Sequence, residues 1–190
     1  MIKTISIIGA SAGIGLQCVQ VALQRGHRVI SLSRKVDTLP DHPNLQVIQG
    51  SATNTDDLRR ALNGADAVLV ALGMGGYRKP TTLYTDFAKA LLPLQSELGQ
   101  TPIQLLTGFG TGDSAQYQGL VARCLFRLLL KAVYENKTAM EQMIESSTLK
   151  WSLVRPGMLT NASTDVPARV QVDYTPGMKV GAVSRLAVAR

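Results

Sequence analysis

An isoleucine-rich run, Ile5–Ile8, leads straight into Gly9-Ala10-Ser11-Ala12-Gly13-Ile14-Gly15, and an amphipathic run to Arg25 follows. That order is strand, glycine-rich turn, helix. Gly26-His27-Arg28 then precedes a second apolar run, Val29–Leu32, which completes a βαβ unit. Two parallel strands joined through a helix belong to a sheet covered on both faces. Glycines at this turn let the backbone bend sharply and leave bare N–H groups at the start of the helix. The helix dipole favours negative charge there, so the turn is suited to a pyrophosphate.

The alternation continues along the chain. Leu45–Ile48 reads as strand 3. Asp56-Asp57-Leu58 opens a short helix capped by Asn54 or Thr55. Ala67–Leu72, between Gly64 and Gly73, is the continuous apolar run of a buried parallel strand. Thr82–Leu98 predicts a helix that kinks or breaks at Pro93. Ile103–Leu106 follows as strand 5. A long helix is predicted over Gly119–Ser147, with Leu120, Cys124, Leu128 and Ala132 on one stripe and Val121, Leu125, Leu129 and Val133 beside it. Trp151–Val154, stopped by Arg155-Pro156-Gly157, is strand 6, and Trp151 is expected in the core. This pattern predicts an α/β fold, a Rossmann-like doubly wound parallel sheet, as a single domain. In such sheets ligands lie beyond the carboxyl ends of the strands.

A length of 190 residues fits one domain spanning 1–190, with small substrate-side elements in about 156–190. The net charge of +7 would suit anionic partners, but the basic residues are scattered and no nucleic-acid motif accompanies them. Cys18 and Cys124 both sit in apolar helical patterns, which predicts buried free thiols, and no metal-ligand spacing occurs. His27 and His42 lie in turn-like stretches and are expected at the surface. The longest apolar stretch, Leu120–Val133, is interrupted by Arg123, Arg127 and Lys131, a basic stripe expected to be solvated, so no membrane span is expected. With strand 1 at the very start and no signal peptide, the expected compartment is the cytoplasm.

The glycines at 9, 13 and 15 give G-x-x-x-G-x-G, which resembles the turn of the short-chain dehydrogenase/reductase superfamily. Strand 2 of a chain selective for NAD would be expected to end near an acid that holds the ribose 2′-hydroxyl. Here it ends Ser31-Leu32-Ser33-Arg34-Lys35. Arginine offers a bidentate fork to phosphate, so this ending suits a 2′-phosphate and predicts NADP(H) in preference to NAD(H). The superfamily's usual Tyr-x-x-x-Lys pair is missing. Val133 stands four places before Lys137, and Tyr134 stands three before it. Tyr134 is therefore a poor match for the catalytic acid.

The second half resembles the atypical branch that includes NmrA-like and biliverdin reductase B (flavin reductase)-like proteins. The residues that carry this are Thr107-Gly108-Phe109-Gly110 with Gly112-Asp113-Ser114, the segment Tyr134–Glu141, and Trp151–Gly157 with Leu159-Thr160-Asn161. The resemblance implies a cofactor site formed by Gly9, Ser11, Ala12, Gly13, Ile14, Gly15, Arg34 and Lys35 around the phosphates. Ser51, Ala71, Leu72, Gly73, Thr107, Lys137, Pro156 and Gly157 would border the rest. Within that set, it implies Lys137 beside the ribose and Pro156-Gly157 near the nicotinamide, whereas composition alone allows Lys137 to be an exposed lysine paired with Glu141. Ser51 stands where that branch often has an acid for the adenine, and Ala12 replaces its middle glycine. Phe109 and Met158 are expected on the substrate side. No catalytic residue is assigned, with Thr107, Tyr134 and Lys137 as candidates. The implied function is an NAD(P)H-dependent reductase whose partner is a small-molecule acceptor, planar and conjugated, such as a flavin, quinone or bilin. The alternatives are an NADP(H)-sensing regulator without turnover and an epimerase or dehydratase of the extended type.

Overall fold

The computed structural model describes residues 1–73, 81–117, 119, 130–162, 166–175, 178 and 180–190. Met74-Gly75-Gly76, Cys124, Arg123, Arg127 and the first two-thirds or so of the apolar stretch at 120–133 lie outside the described residues.

Six strands form one sheet: β1 (Thr4–Ile8), β2 (Arg28–Ser33), β3 (Leu45–Gln49), β4 (Ala67–Val70), β5 (Ile103–Leu106) and β6 (Trp151–Val154). Their order is β3-β2-β1-β4-β5-β6, with every pairing parallel. The chain moves outward from β1 to β3 and returns to place β4 on the other side of β1. The crevice between the ends of β1 and β4 is therefore the switch point of the topology.

Successive side chains of a strand point to opposite faces, and the core divides accordingly. On one face Ile7 and Val29 pack with Ile14, Cys18, Val19 and Ala22 of α1 (Gly13–Gln24). On the other, Ile8, Ile30, Val68, Val70, Ile103 and Leu105 pack under α2 (Thr55–Leu62), α3 (Leu83–Leu91) and α5 (Lys131–Glu145), around Leu58, Phe87 and Ile144. Cys18 is buried and free, and burial pushes its thiol pKa up to about 12. Asn54 caps α2 by accepting from Asp57 N. Pro93 ends α3 in a 3-10 turn, Leu92–Leu94, before the single turn α4 (Gln95–Leu98). A proline has no N–H to continue the helix.

One expectation needs correction. Trp151 is 37% exposed rather than in the core. It is the first residue of β6, the edge strand, and so stands at a corner of the sheet. His27 and His42 lie at the surface, partly covered, and each Nδ1 accepts a backbone N–H, from Lys3 and Asn44 respectively. Beyond β6 the chain adds β7 (Leu159–Thr160), β8 (Val183–Ser184) and α6 (Arg185–Ala189). The two short strands pair in parallel, and Val188 and Ala189 of α6 pack against the α1 side of the core. Among the described residues no helix is long and apolar enough to cross a membrane.

Candidate active site

The loops at the carboxyl ends of the strands converge, and the glycine turn lies at their centre. Its glycines have different tasks. Gly9 has φ +87°, and a Cβ there would stand 2.6 Å from Ala71 O at the exit of β4. A Cβ on Gly15 would collide with Gly9 O, so this glycine lets α1 lie directly on β1. Gly13 has φ +56° and is open: its nearest neighbour would be Arg185 Nε at 3.7 Å. Thr38 Oγ1 steadies the turn by donating to Ser11 O at 2.6 Å.

The start of α1 is unusual in what it omits. Ala12 occupies the N-cap with no side-chain acceptor, and the first turn contains no acid. A helix start exposes N–H groups that need partners, and here no side chain of the helix provides one. Gly13 is exposed, whereas Ile14 and Gly15 are buried beneath it. This combination of uncapped donors and an open cradle fits a phosphate group. At the neighbouring end of β2, Arg34 and Lys35 are both exposed. The Arg34 carbonyl accepts from Gln49 Nε2, and among the described residues no carboxylate pairs with either cation. At the end of β3, Ser51 N donates to Asp57 Oδ2 at 2.8 Å, and that hydrogen bond holds the Asp57 carboxyl below its usual pKa. Ala71 and Leu72 are half-buried and Gly73 is exposed.

At the end of β5, Lys137 Nζ donates to Thr107 O at 2.7 Å. The ammonium lies 5.0 Å from the Tyr84 ring centre and 5.9 Å from that of Tyr134. Burial lowers its pKa to about 8, against an opposing pull from Glu141. Lys137 is thus not an exposed lysine paired with Glu141. Val133, one turn earlier, is buried in the core. Tyr134 lies against Gly108, its hydroxyl 3.5 Å from where a Cβ on that glycine would be, and burial raises its pKa. Thr107 is buried and receives a long contact, 3.4 Å, from Thr111 Oγ1.

Sequence reasoning missed what holds this side together. Glu141 is 1% exposed, and Arg155 Nη2 donates to its Oε2 at 2.8 Å. Thr111 Oγ1 donates to Glu141 Oε1 at 2.6 Å. Arg155 also pairs with Asp113 and donates to the Tyr174 hydroxyl at 2.6 Å. Burial opposes the Arg155 charge, but Glu141 and Tyr174 together raise its pKa. Gly112, at φ +50°, allows the close approach: a Cβ there would stand 2.5 Å from Glu141 Oε2. One carboxylate therefore ties α5, the β5 exit and the β6 exit into a unit. Asn136 provides a second tie, accepting from Tyr84 N at 2.9 Å at the start of α3.

The β6 exit is placed by backbone. Phe109 N donates to Pro156 O at 2.9 Å, so Phe109 and Pro156 meet. A Cβ on Gly157 would collide with Gly181 O, which gives that glycine a packing reason of its own. Phe109 is half-buried, and Met158 is 71% exposed. No group of three or more potential metal ligands occurs among the described residues.

The model of the NAD(P)H-binding family matches residues 9–190. The chain is 37% identical over 62 residues to a 3-beta-hydroxysteroid dehydrogenase of Mycolicibacterium neoaurum, a match covering 33% of this chain and 17% of that protein. It is 26% identical over 204 residues to the reductase pytE of Aspergillus terreus, covering 85% of this chain and 78% of the relative. Among solved structures it resembles ChuY, an anaerobillin reductase of Escherichia coli O157:H7, with a TM-score of 0.74 and 22% identity, over 98% of this chain and 86% of that one. The chain belongs to the NAD(P)H-binding family, and its fold is the Rossmann-like α/β fold it shares with ChuY.

Proposed function

We propose that this protein is an NADPH-dependent reductase that acts on a planar, conjugated small-molecule acceptor of the flavin, quinone or bilin kind. The observation that carries the reading is Lys137, drawn in to Thr107 O beside Tyr134, with Val133 buried where the tyrosine of a Tyr-x-x-x-Lys pair would stand. The site retains a cation suited to a ribose and lacks the acid at the usual place. An acceptor whose charge is delocalised on reduction can take its proton from water, so such an acceptor suits a site of this composition. The reductases pytE and ChuY among the similar proteins support the same class.

In this reading the N–H groups of Gly13 and Ile14 receive the pyrophosphate, with Ser11 and Ala12 at its edge and Gly9 and Gly15 keeping the turn tight. Arg34 and Lys35 hold the 2′-phosphate. Ser51, Ala71, Leu72 and Gly73 border the adenine side, and Thr107, Lys137, Pro156 and Gly157 border the nicotinamide side. Phe109 and Met158 face the acceptor. The reduced nicotinamide supplies a hydride when bound. The contribution of the chain is to hold the two flat partners close and dry. The cytoplasm is the compartment proposed.

The test is oxidation of NADPH by the purified chain with a flavin, a quinone and a bilin as acceptors, alongside titrations of NADPH and NADH. Turnover with at least one acceptor is expected, with NADPH bound about tenfold or more tightly than NADH and that preference lost in Arg34→Ala. Tight NADPH binding without turnover by any acceptor would make the protein a sensor. Equal affinities for the two dinucleotides would remove the role given to Arg34 and Lys35.

A further inference from the structure

Arg185 is far from the glycine turn in sequence and beside it in space. It opens α6, and its Nε stands 3.7 Å from the point where a Cβ on Gly13 would be. Its Nη1 donates to Asn161 Oδ1 at 2.6 Å, which anchors the guanidinium through one of its five N–H groups. Among the described residues no carboxylate pairs with it. The element that carries it is well fixed. Ser184 Oγ accepts from Ala187 N at 3.0 Å, Ala187 is buried, and Arg25 Nη2 of the residue closing α1 donates to Arg190 O at 2.8 Å. A cation held by a neutral amide, over the one glycine of the turn that no backbone crowds, has donors to spare on the open side.

We propose that Arg185 is a phosphate-binding residue of the dinucleotide site, pairing with the pyrophosphate laid over Gly13. This rests on the dinucleotide reading above and adds a residue to it. The start of α1 offers backbone donors and the partial charge of a helix dipole, about half a unit. A pyrophosphate carries more charge than that, and the first turn of α1 holds no basic side chain, its residues being Gly13, Ile14, Gly15 and Leu16. Arg185 supplies a full charge from the carboxyl-terminal segment. Occupancy of the site and docking of the β8–α6 segment are then coupled: a bound dinucleotide bridges α1 and α6.

The experiment compares NADPH with adenosine 2′-monophosphate, which carries the phosphate assigned to Arg34 and Lys35 but no pyrophosphate. Both are titrated into the full chain as wild type, Arg185→Gln and Arg185→Lys. Arg185→Gln is expected to weaken NADPH about tenfold to a hundredfold, as the loss of a charge-assisted pair would, and to leave the monophosphate affinity unchanged. Arg185→Lys, which keeps the charge, is expected to fall between and serves if the glutamine variant does not fold. Amide hydrogen exchange over 183–189 should slow on NADPH addition in the wild type and respond less in Arg185→Gln. Undiminished NADPH affinity in Arg185→Gln overturns the assignment, and so does equal weakening of both ligands, which would mean only that α6 had lost its docking. If the wild type does not bind NADPH, it is the dinucleotide reading that fails.

Discussion

The two sides of the candidate site are held by different physics. On the β1 side the work is done by backbone: Gly9, Gly13 and Gly15 create a tight turn, and no side chain caps α1. On the β5–β6 side it is done by side chains: Glu141, with 1% of its surface exposed, takes donors from Arg155 and Thr111. The first arrangement leaves its donors free for a ligand. The second uses its charge internally and fixes the loops that carry Thr107, Phe109 and Pro156. On the proposed function, the backbone donors of the first side bind and the side-chain network of the second places. A charge at this site is not by itself a sign of chemistry.

The largest effect is expected where the buried pair is broken. Glu141→Ala leaves Arg155, whose side chain is 9% exposed, without its main counter-charge. Removing one partner of a buried pair costs about 3–5 kcal/mol, measurable by urea unfolding. Replacing both with leucine should recover most of that loss. A cost below about 1 kcal/mol for Glu141→Ala, in the range of exposed pairs, would erase the contrast between the two sides.

The next effect separates two glycines of one turn. A Cβ on Gly15 runs into Gly9 O, so Gly15→Ala should destabilise the fold whether or not a ligand is present. A Cβ on Gly13 would meet only the Arg185 side chain, at an ordinary 3.7 Å, so Gly13→Ala at φ +56° carries mainly the left-handed strain, about 1–2 kcal/mol. Its methyl group would, however, enter the proposed phosphate cradle, and NADPH affinity should fall by about tenfold or more in calorimetric titration. A folded Gly13→Ala that binds NADPH like the wild type would make the turn purely structural.

How much of this was legible in the sequence follows the same divide. The turn is local, so the strand, glycines and helix can be read from adjacent residues, as can the break at Pro93 and the Asn54 cap. The pairing of Glu141 with Arg155 joins two elements, and helical spacing suggested a different partner for Glu141, namely Lys137. Nothing in the periodicity of α5 tells which of its polar residues turn inward. Asn136 capping α3, and Arg185 arriving at Gly13 from near the end of the chain, are likewise products of the tertiary fold. One signal was available: Gly112 between Thr111 and Asp113 marks a backbone point that something must approach closely. Trp151 shows the opposite error, an apolar residue assigned to the core by its type when its position at the start of an edge strand leaves it exposed.

The smallest expected effect bears on the central claim, that hydride transfer here needs no tyrosine acid. Tyr134 is the tyrosine nearest Lys137 in sequence, and it lies against Gly108 at the β5 exit. The direct measurement is kcat/KM for NADPH oxidation by Tyr134→Phe, with the acceptor the wild type uses best and with NADPH affinity measured in parallel. The expected result is a rate within about threefold of the wild type, since no proton passes through the hydroxyl. A fall of about 10²–10⁴-fold with NADPH affinity intact, the loss typical of a general acid, would contradict the account and return Tyr134 to the role of catalytic acid.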